Sequence, residues 1–532
     1  MIKFLLFSIF ILDFFIFSKN IEIKGDKDLF SVLEFSSNID STLVSYGYFD
    51  SKSYTRNDTL FILSGERYLF NYIKLSGNPF YNEKIINNKF DIDFPFSKLN
   101  INKLMKRIEN YYQNRGYPFV KISLERVDLD RENRVVTPIL NIESGDYVNI
   151  SRVIFNGNKV SKNHIIEREL RLNLPSMFSL SKLEYGKSML YNTNLFSFEP
   201  TYKIFKDKNK KYMVLFNLEE ENYNSLDGML GYSSKNDEDK LFGYIDLEFR
   251  NLFGTFRGAK IYWQRLRGSS EEIELNYREP WLYNIPISSY IGFTQIKEDS
   301  LYLDRGISIN FEYFLNQNFT ISTGFNYNRV FPINKESNSE VESSERKGYN
   351  LSVSYKTTVY KNPFRELFLS TTVYFNDLYK KFLESGESNH MLNSKLETSF
   401  VKPMGRFSIS SRNITNHLFF KNSPEYLELL NFGGVSSFRG VREKFISTTS
   451  YSSFQNNLYF DLKNSSYIYI MFDLAIYSKK NESFIEDFNT LYSLGGGLKF
   501  PIKTGGFEII YAFPLDQGFS NSVIHARLLT EF

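Results

Sequence analysis

The chain has 532 residues, room for several domains, and its net charge of +3 and pI near 8.4 leave no basic excess that would point to nucleic acid as a partner. Phe 53, Tyr 37 and Trp 2 make aromatics 17 % of the chain against 14 prolines, a composition that favours pleated strands. Zero cysteines exclude disulfides, thiolate catalysis and cysteine metal sites, and the four histidines, His164, His390, His417 and His525, lie too far apart for a metal-binding spacing.

The first twenty residues, MIKFLLFSIFILDFFIFSKN, place Lys3 before an apolar run from Phe4 to Phe17 interrupted by Asp13. This layout predicts a signal peptide over residues 1–18, with a membrane-anchoring helix as the alternative; a helical span needs about 20 apolar residues. No comparable apolar run follows, so a mature chain that crosses a membrane must do so as a closed β-barrel.

Residues 61–78 repeat at 141–158, with Ile62/Ile142, Ser64/Ser144, Gly65/Gly145, Gly77/Gly157 and Asn78/Asn158 coinciding, and Ile85/Ile165 and Ile86/Ile166 following in the same register. A fixed offset marks a duplicated module. Each copy reads as β-α-α-β-β. In the first, a long helix from Ser97 to Arg115 carries Leu104, Ile108, Tyr111 and Tyr112 on one face and stops at Gly116; in the second, Ser181 and Glu184 form a candidate capping box. Before residue 65 stands an abbreviated unit with space for one helix. The repeated order of "GN", "GYP" and "ESGDY" resembles the POTRA (polypeptide-transport-associated) domain, which implies an abbreviated unit at 19–65 and complete ones at 66–146 and 147–222.

From 223 to 532 the apolar period becomes two. In LFGYIDLEF, Leu241, Gly243, Ile245, Leu247 and Phe249 share one face while Tyr244, Asp246 and Glu248 share the other; the last stretch alternates in the same way and ends on Phe532. Sixteen such strands begin near residues 228, 239, 255, 270, 286, 302, 317, 346, 364, 388, 404, 451, 466, 491, 505 and 521. Charges on the polar faces fit a lumen, and an even strand number lets a barrel close antiparallel. The gaps 331–345, 379–387, 417–450 and 478–490 exceed hairpin length and fall on one side by strand parity. The expected fold is therefore α+β repeats followed by an all-β, 16-stranded antiparallel transmembrane barrel.

The gap at 417–450 contains GGVSSFRGVRE. Paired glycines followed by an aromatic-flanked Arg-Gly, between the eleventh and twelfth strands, resemble the BamA/TamA-type outer-membrane assembly and translocation family. NLFG (251–254), YREPWL (277–282, with Pro280 and Trp281), FDLA (472–475) and GGGLKFPI…GGFEIIYAFPL (495–515) resemble its barrel-strand signatures. The resemblance implies that the loop bearing Gly433, Gly434, Phe438, Arg439 and Gly440 folds into the lumen and that Arg439 meets an acid on the wall. Asp473 stands at the matching position of the thirteenth strand, Tyr459 at that of the twelfth, and Asp461, two residues on, is the acidic substitute. It also implies a bacterial outer-membrane location with the N-terminal domains in the periplasm. Its partners would be the lipid bilayer, unfolded β-barrel or secreted polypeptides, and periplasmic lipoproteins or an inner-membrane protein. It implies no cofactor, metal, nucleic acid or catalysis. A dedicated two-partner-type secretion pore is the alternative on the same fold. An outer-membrane hydrolase would need a nucleophile motif such as G-x-S-x-G, which is missing, and a passive porin would not need the repeats.

Overall fold

The computed structural model describes residues 20–24, 39–56, 59–90, 95–221, 224–233, 240–265, 270–298, 301–333, 341–357, 363–364, 367–422, 424, 428–463, 466–480, 486–502, 505–516 and 522–531. The signal-peptide segment 1–18, residues 25–38 of the abbreviated unit and Phe532 lie outside these. The chain divides into two compact units, one of residues 1–152, 173–184 and 204–214, the other of residues 153–172, 185–203 and 215–532.

The abbreviated unit contains β1 (Asn20–Lys24), α1 (Ile39–Ser45), β2 (Lys52–Arg56) and β3 (Thr59–Leu63), with β3 central, parallel to β1 and antiparallel to β2. The next module adds a two-residue strand β4 (Leu69–Phe70) to β5 (Lys74–Asn78), α2 (Glu83–Lys89), α3 (Lys98–Gln113), β6 (Lys121–Asp130) and β7 (Val135–Glu143). Here too the last strand is central, parallel to the first and antiparallel to the second. Ser97 caps α3, its side chain accepting from Asn100 N at 3.0 Å, and Ile101, Leu104, Ile108 and Tyr112 are the buried stripe. The following module comprises β8 (Asn149–Asn156), α4 (Asn163–Glu169), β9 (Ser176–Met177), α5 (Leu180–Asn192), β10 (Thr201–Lys206) and β11 (Tyr212–Asn217), in the sheet order β10-β11-β8-β9.

The glycines of the repeat have a physical cause. Gly77 (φ +80°) and Gly157 (φ +95°) occupy the left-handed region, and a Cβ would fall 2.7 Å from Ile142 O in the first case and 2.0 Å from Leu218 O in the second. The predicted capping box is displaced. Helix α5 starts at Leu180, so Ser181 lies inside its first turn; Ser181 N donates to Asn114 Oδ1 at 2.7 Å, and Ser179 Oγ donates to the same oxygen at 3.1 Å.

The barrel strands are β12 (Ser225–Ser233), β13 (Lys240–Leu252), β14 (Arg257–Arg265), β15 (Glu271–Glu279), β16 (Ile287–Glu298), β17 (Tyr302–Phe314), β18 (Phe319–Pro332), β19 (Ser344–Lys356), β20 (Phe368–Phe382), β21 (Ser388–Met404), β22 (Phe407–Phe420), β25 (Ser450–Lys463), β26 (Ser466–Lys480), β27 (Glu486–Ile502), β28 (Gly505–Pro514) and β29 (Val523–Glu531). Between the eleventh and twelfth of these lies a small hairpin of β23 (Leu430–Phe432) and β24 (Ile446–Thr448). The sixteen strands close antiparallel, each neighbouring the next in sequence order. No helix among the described residues is long and apolar enough to cross a membrane. Apolar side chains such as Ile307, Ile309, Leu351, Ile470 and Phe472 cover the outer face, as lipid requires.

Two expected loops are shorter than the gaps read from the sequence. The gap at 379–387 contracts to 383–387 and that at 478–490 to 481–485. Strand β26 runs to Lys480, and β20 continues through buried Lys380, because a barrel's inner face tolerates charge that a soluble strand would not.

Candidate functional site

The segment between β22 and β25 turns into the barrel at its paired glycines. Gly433 and Gly434 have φ of +130° and +76°, and a Cβ on Gly433 would fall 2.5 Å from Arg442 O. Ser437 Oγ accepts from Gly433 N at 2.7 Å, and Gly434 N donates to Val441 O at 3.2 Å, which closes the turn on itself. Phe438 is fully buried in a cluster with Ile414, Phe432, Tyr451, Ala475 and Leu491, and Val441 packs against the same cluster. The aromatic therefore supplies the apolar anchor from the residue before Arg439. Gly440 slides past β27, where a Cβ would come within 2.7 Å of Ser493 Cβ.

Between these two, Arg439 faces the wall with 4 % of its surface exposed, and Asp473 is fully buried. Arg439 Nε donates to Asp473 Oδ2 at 2.9 Å, Nη2 donates to Oδ1, and the Arg439 backbone N also donates to Oδ2, at 3.0 Å. One carboxylate thus receives a fork and a main-chain amide, the geometry in which a dehydrated ion pair is best satisfied. The remaining arm, Nη1, donates to Asn457 Oδ1 at 2.7 Å, and Asn457 Nδ2 donates onward to Ser410 Oγ at 3.0 Å and Tyr459 Oη at 3.1 Å. The hydrogen bond on the twelfth strand is therefore made by Asn457, with Tyr459 one step removed. Asp461 stands in register with Tyr467, four residues from Asn457 and about 13 Å further along the strand.

Residues the sequence did not single out complete the site. His525 Nε2 lies 3.0 Å from Arg439 O, and because that oxygen can only accept, the imidazole donates; this ties the loop to the last strand. Gln455 Nε2 donates to Val435 O at 3.0 Å and Arg412 Nη1 to Ser436 O at 3.0 Å. Further out, Lys444 Nζ reaches Glu272 Oε2 on β15 at 2.7 Å, and Glu428 pairs with buried Lys380 on β20 at 2.8 Å. The segment is fastened to β26 at one point and to β15 at another, so it crosses the lumen.

Close by is the closure. Strands β12 and β29 pair through Ser225↔Glu531, Leu226↔Thr530 and Asp227↔Leu529, whereas β12 pairs with β13 over nine positions and β28 with β29 over eight. On the lumen side Arg527 Nη2 lies 3.2 Å from Asp227 Oδ2 and Arg527 Nη1 3.8 Å from Glu508 Oε2; Tyr244 Oη donates to Asp227 at 2.9 Å and Tyr469 Oη to Glu508 at 2.9 Å. Among the described residues no group of His, Asp or Glu is arranged to hold a metal ion.

The other predicted barrel signatures serve a different contact. Trp281, in the turn between β15 and β16, donates from Nε1 to Glu169 Oε2 at 2.7 Å, and Glu169 is buried at the end of α4. The guanidinium carbons of Arg168 and Arg171 stand 5.0 and 5.8 Å from the indole centroid, and burial pulls Arg168 below its ordinary pKa. Pro280 O accepts from Ser288 Oγ at 3.2 Å. Asn251 of NLFG donates to Ser161 Oγ at 2.9 Å, and Gly254 packs so tightly on Val160 that a Cβ would fall 2.1 Å from its carbonyl oxygen.

Comparison with known proteins now gives the context. The POTRA family described as a surface antigen variable number repeat matches residues 148–221. "Outer membrane protein assembly factor BamA" of Nitratidesulfovibrio vulgaris is 23 % identical over 454 residues, 78 % of this chain and 54 % of the relative. The BamA of Buchnera aphidicola is 21 % identical over 207 residues, 38 % of this chain and 33 % of the relative. These matches make the chain similar to the BamA/TamA-type outer-membrane family. It spans about half the length of the first of these relatives and a third of the second. The structure of CdiB from Acinetobacter baumannii has the same fold, with a TM-score of 0.57 at 12 % identity over 88 % of this chain and 90 % of that one. As in the family, the barrel lies in the bacterial outer membrane and the POTRA region in the periplasm.

Proposed function

We propose that this BamA/TamA-type protein assembles or translocates other polypeptides at the outer membrane, inserting unfolded clients where its first and last strands meet. The observation that carries the reading is the closure itself, which among the described residues has three paired positions beside neighbours with nine and eight. A strand end with unpaired backbone groups is a template for another strand, and a short ladder is the cheapest one to exchange. In this reading the units at 19–65, 66–146 and 147–222 are POTRA domains preceding a barrel at 223–532. Strands β6 and β10, which stand at the edges of their sheets, offer their edges to extended clients. Arg439, Asp473 and the turn from Gly433 to Gly440 hold the crossing segment in place and perform no covalent chemistry.

The crossing segment also bears on the alternative, a dedicated secretion pore for one exported protein. A polypeptide led through the lumen would have to displace the segment fastened at Asp473 and Glu272, and this favours the seam. The test uses the absence of cysteine in the parent chain. Leu226→Cys and Thr530→Cys, in register across the closure, are joined by oxidation. The reading expects client insertion into vesicles to stop on oxidation and to return on reduction. Undiminished insertion by the locked barrel would sink the seam as the route.

A further inference from the structure

Four cations stand on the outer face of the barrel at the end that carries the 421–449 segment: Arg305 near the start of β17, Arg329 near the end of β18, Lys347 near the start of β19 and Lys381 near the end of β20. All four are exposed, and the residues alternating with them, Asp304, Val330, Gly348 and Lys380, are buried. Register places them side by side. Arg305 is directly opposite Arg329, Arg329 opposite Glu345, and Glu345 opposite Lys381, while Lys347 lies between Tyr327 and Tyr379. Like charges directly opposed on one sheet face are destabilising unless an anion lies between them; Glu345 lies among the four cations, and the next carboxylate on this face, Asp377, is engaged by His390 at 2.5 Å. The arginines are held by neutral groups instead: Arg305 Nε donates to Gln295 Oε1 at 2.8 Å, and Arg329 lies 5.1 Å from the Phe331 ring centroid.

Immediately below the row the same strands present Ile307, Ile309, Phe311 and Tyr313, then Tyr349, Leu351 and Val353, then Phe375, all exposed. In a barrel resident in the outer membrane this is the lipid band, and the cations mark its outward boundary at headgroup depth, flanked by tyrosines as interfacial belts are. Four adjacent strands at about 4.8 Å spacing spread the charges over roughly 14 Å, the width of a lipid headgroup rather than of one small anion.

We propose that Arg305, Arg329, Lys347 and Lys381 form a binding stripe for the phosphate groups of outer-leaflet lipids. The full chain, purified in a neutral detergent, is titrated with diphosphoryl lipid A and with its dephosphorylated form, and retained lipid is read by native mass spectrometry. With two of the four cations removed, R305Q/R329Q is expected to weaken retention of the diphosphoryl form roughly tenfold or more. The dephosphorylated form is expected to bind both proteins alike. A charge-matched control, K402Q/R406Q at the opposite end of β21, is expected to bind as wild type does. Heat-modifiability of every variant verifies that the barrel is folded. Equal retention by wild type and R305Q/R329Q, or an equal loss in the control, would overturn the stripe, and so would displacement of the lipid by millimolar inorganic phosphate. Client insertion is not read by this assay, so its outcome is independent of the seam.

Discussion

Arg527 on the last barrel strand and Asp227 on the first lie 3.2 Å apart, so an ion pair crosses the closure where, among the described residues, three residue pairs join the backbones. Glu508 and Tyr244 hold the two partners from either side. Both members are partly exposed to the lumen, so the pair is worth no more than about 1 kcal/mol after solvent screening. In a short ladder that is enough to shift the open fraction several-fold. Arg527→Gln and Asp227→Asn are each expected to speed disulfide formation between cysteines at 226 and 530, and the double variant to be no faster than either single one. Additive effects would mean that the residues act separately.

The contact between Arg439 and Asp473 is of a different order because both are buried. Replacing one partner leaves the other charged and dehydrated, at a cost of roughly 3–5 kcal/mol. Arg439→Ala should therefore lower the temperature of the heat-modifiability transition markedly, and Arg439→Ala/Asp473→Ala should recover part of the loss. Arg439→Lys is expected to rescue poorly, since an ammonium cannot give the two-pronged contact while reaching Asn457. A double variant as unstable as the single one would show that packing, not charge, dominates.

Much of this architecture was legible in the chain. Alternation marks strands strongly when one face meets lipid and the other water, and each of the sixteen starts lies within five residues of its expected place. Arg439 and Asp473 could be paired in advance because strand count and motif both brought them to one wall. Asn457 could not, since nothing in the pattern distinguishes an asparagine that bridges from one that is merely inside. His525 and Arg527 were visible as polar-face residues of the last strand, but their partners come from a loop and a strand 86 and 300 residues away. Trp281 read as a barrel signature because its turn lies next to a strand; its partner, Glu169, belongs to a helix 112 residues earlier in the chain.

Gly440 has no unusual backbone angle, and what it needs is space. A methyl group here would come 2.7 Å from Ser493 Cβ, so Gly440→Ala must push the segment off β27 or bend the strand. The expected result is protease accessibility within residues 421–449 without loss of the barrel. Ser493→Gly in the same chain should restore part of the protection, because it removes two of the three nearest atoms in the way and leaves Phe438 Cε1 at 2.9 Å. If G440A alone is as protected as wild type, the loop has slack that the geometry does not suggest.

In the periplasmic region Asp146 receives Lys206 Nζ at 2.7 Å and Tyr212 Oη at 2.5 Å, and the Lys206 hydrogen bond is the larger cause holding its carboxyl below the usual range. A depressed carboxyl stabilises the fold above its unfolded pKa of about 3.9, and the contribution is lost as pH falls through the folded value below that. Full exposure keeps the effect small. Titration by NMR should therefore place Asp146 below the reference for aspartate in the full chain, and Lys206→Met should return it upward. An Asp146 pKa unchanged by K206M would show that Tyr212 alone holds the charge.

Trp281 and Glu169 make the last case, where removing a hydrogen bond is separable from removing a ring. Trp281→Phe keeps an aromatic surface for Arg168 and Arg171 but leaves buried Glu169 without the indole donor, at a cost of about 1–3 kcal/mol. Glu169→Gln keeps an acceptor for the indole and should cost less, although it removes the charge facing Arg171, 3.8 Å away. Hydrogen exchange at α4 reads the difference, because local opening there exposes the amides the contact protects. Faster exchange in W281F than in E169Q is the expected order; the reverse order would assign the contact to the Arg171 ion pair instead of the indole.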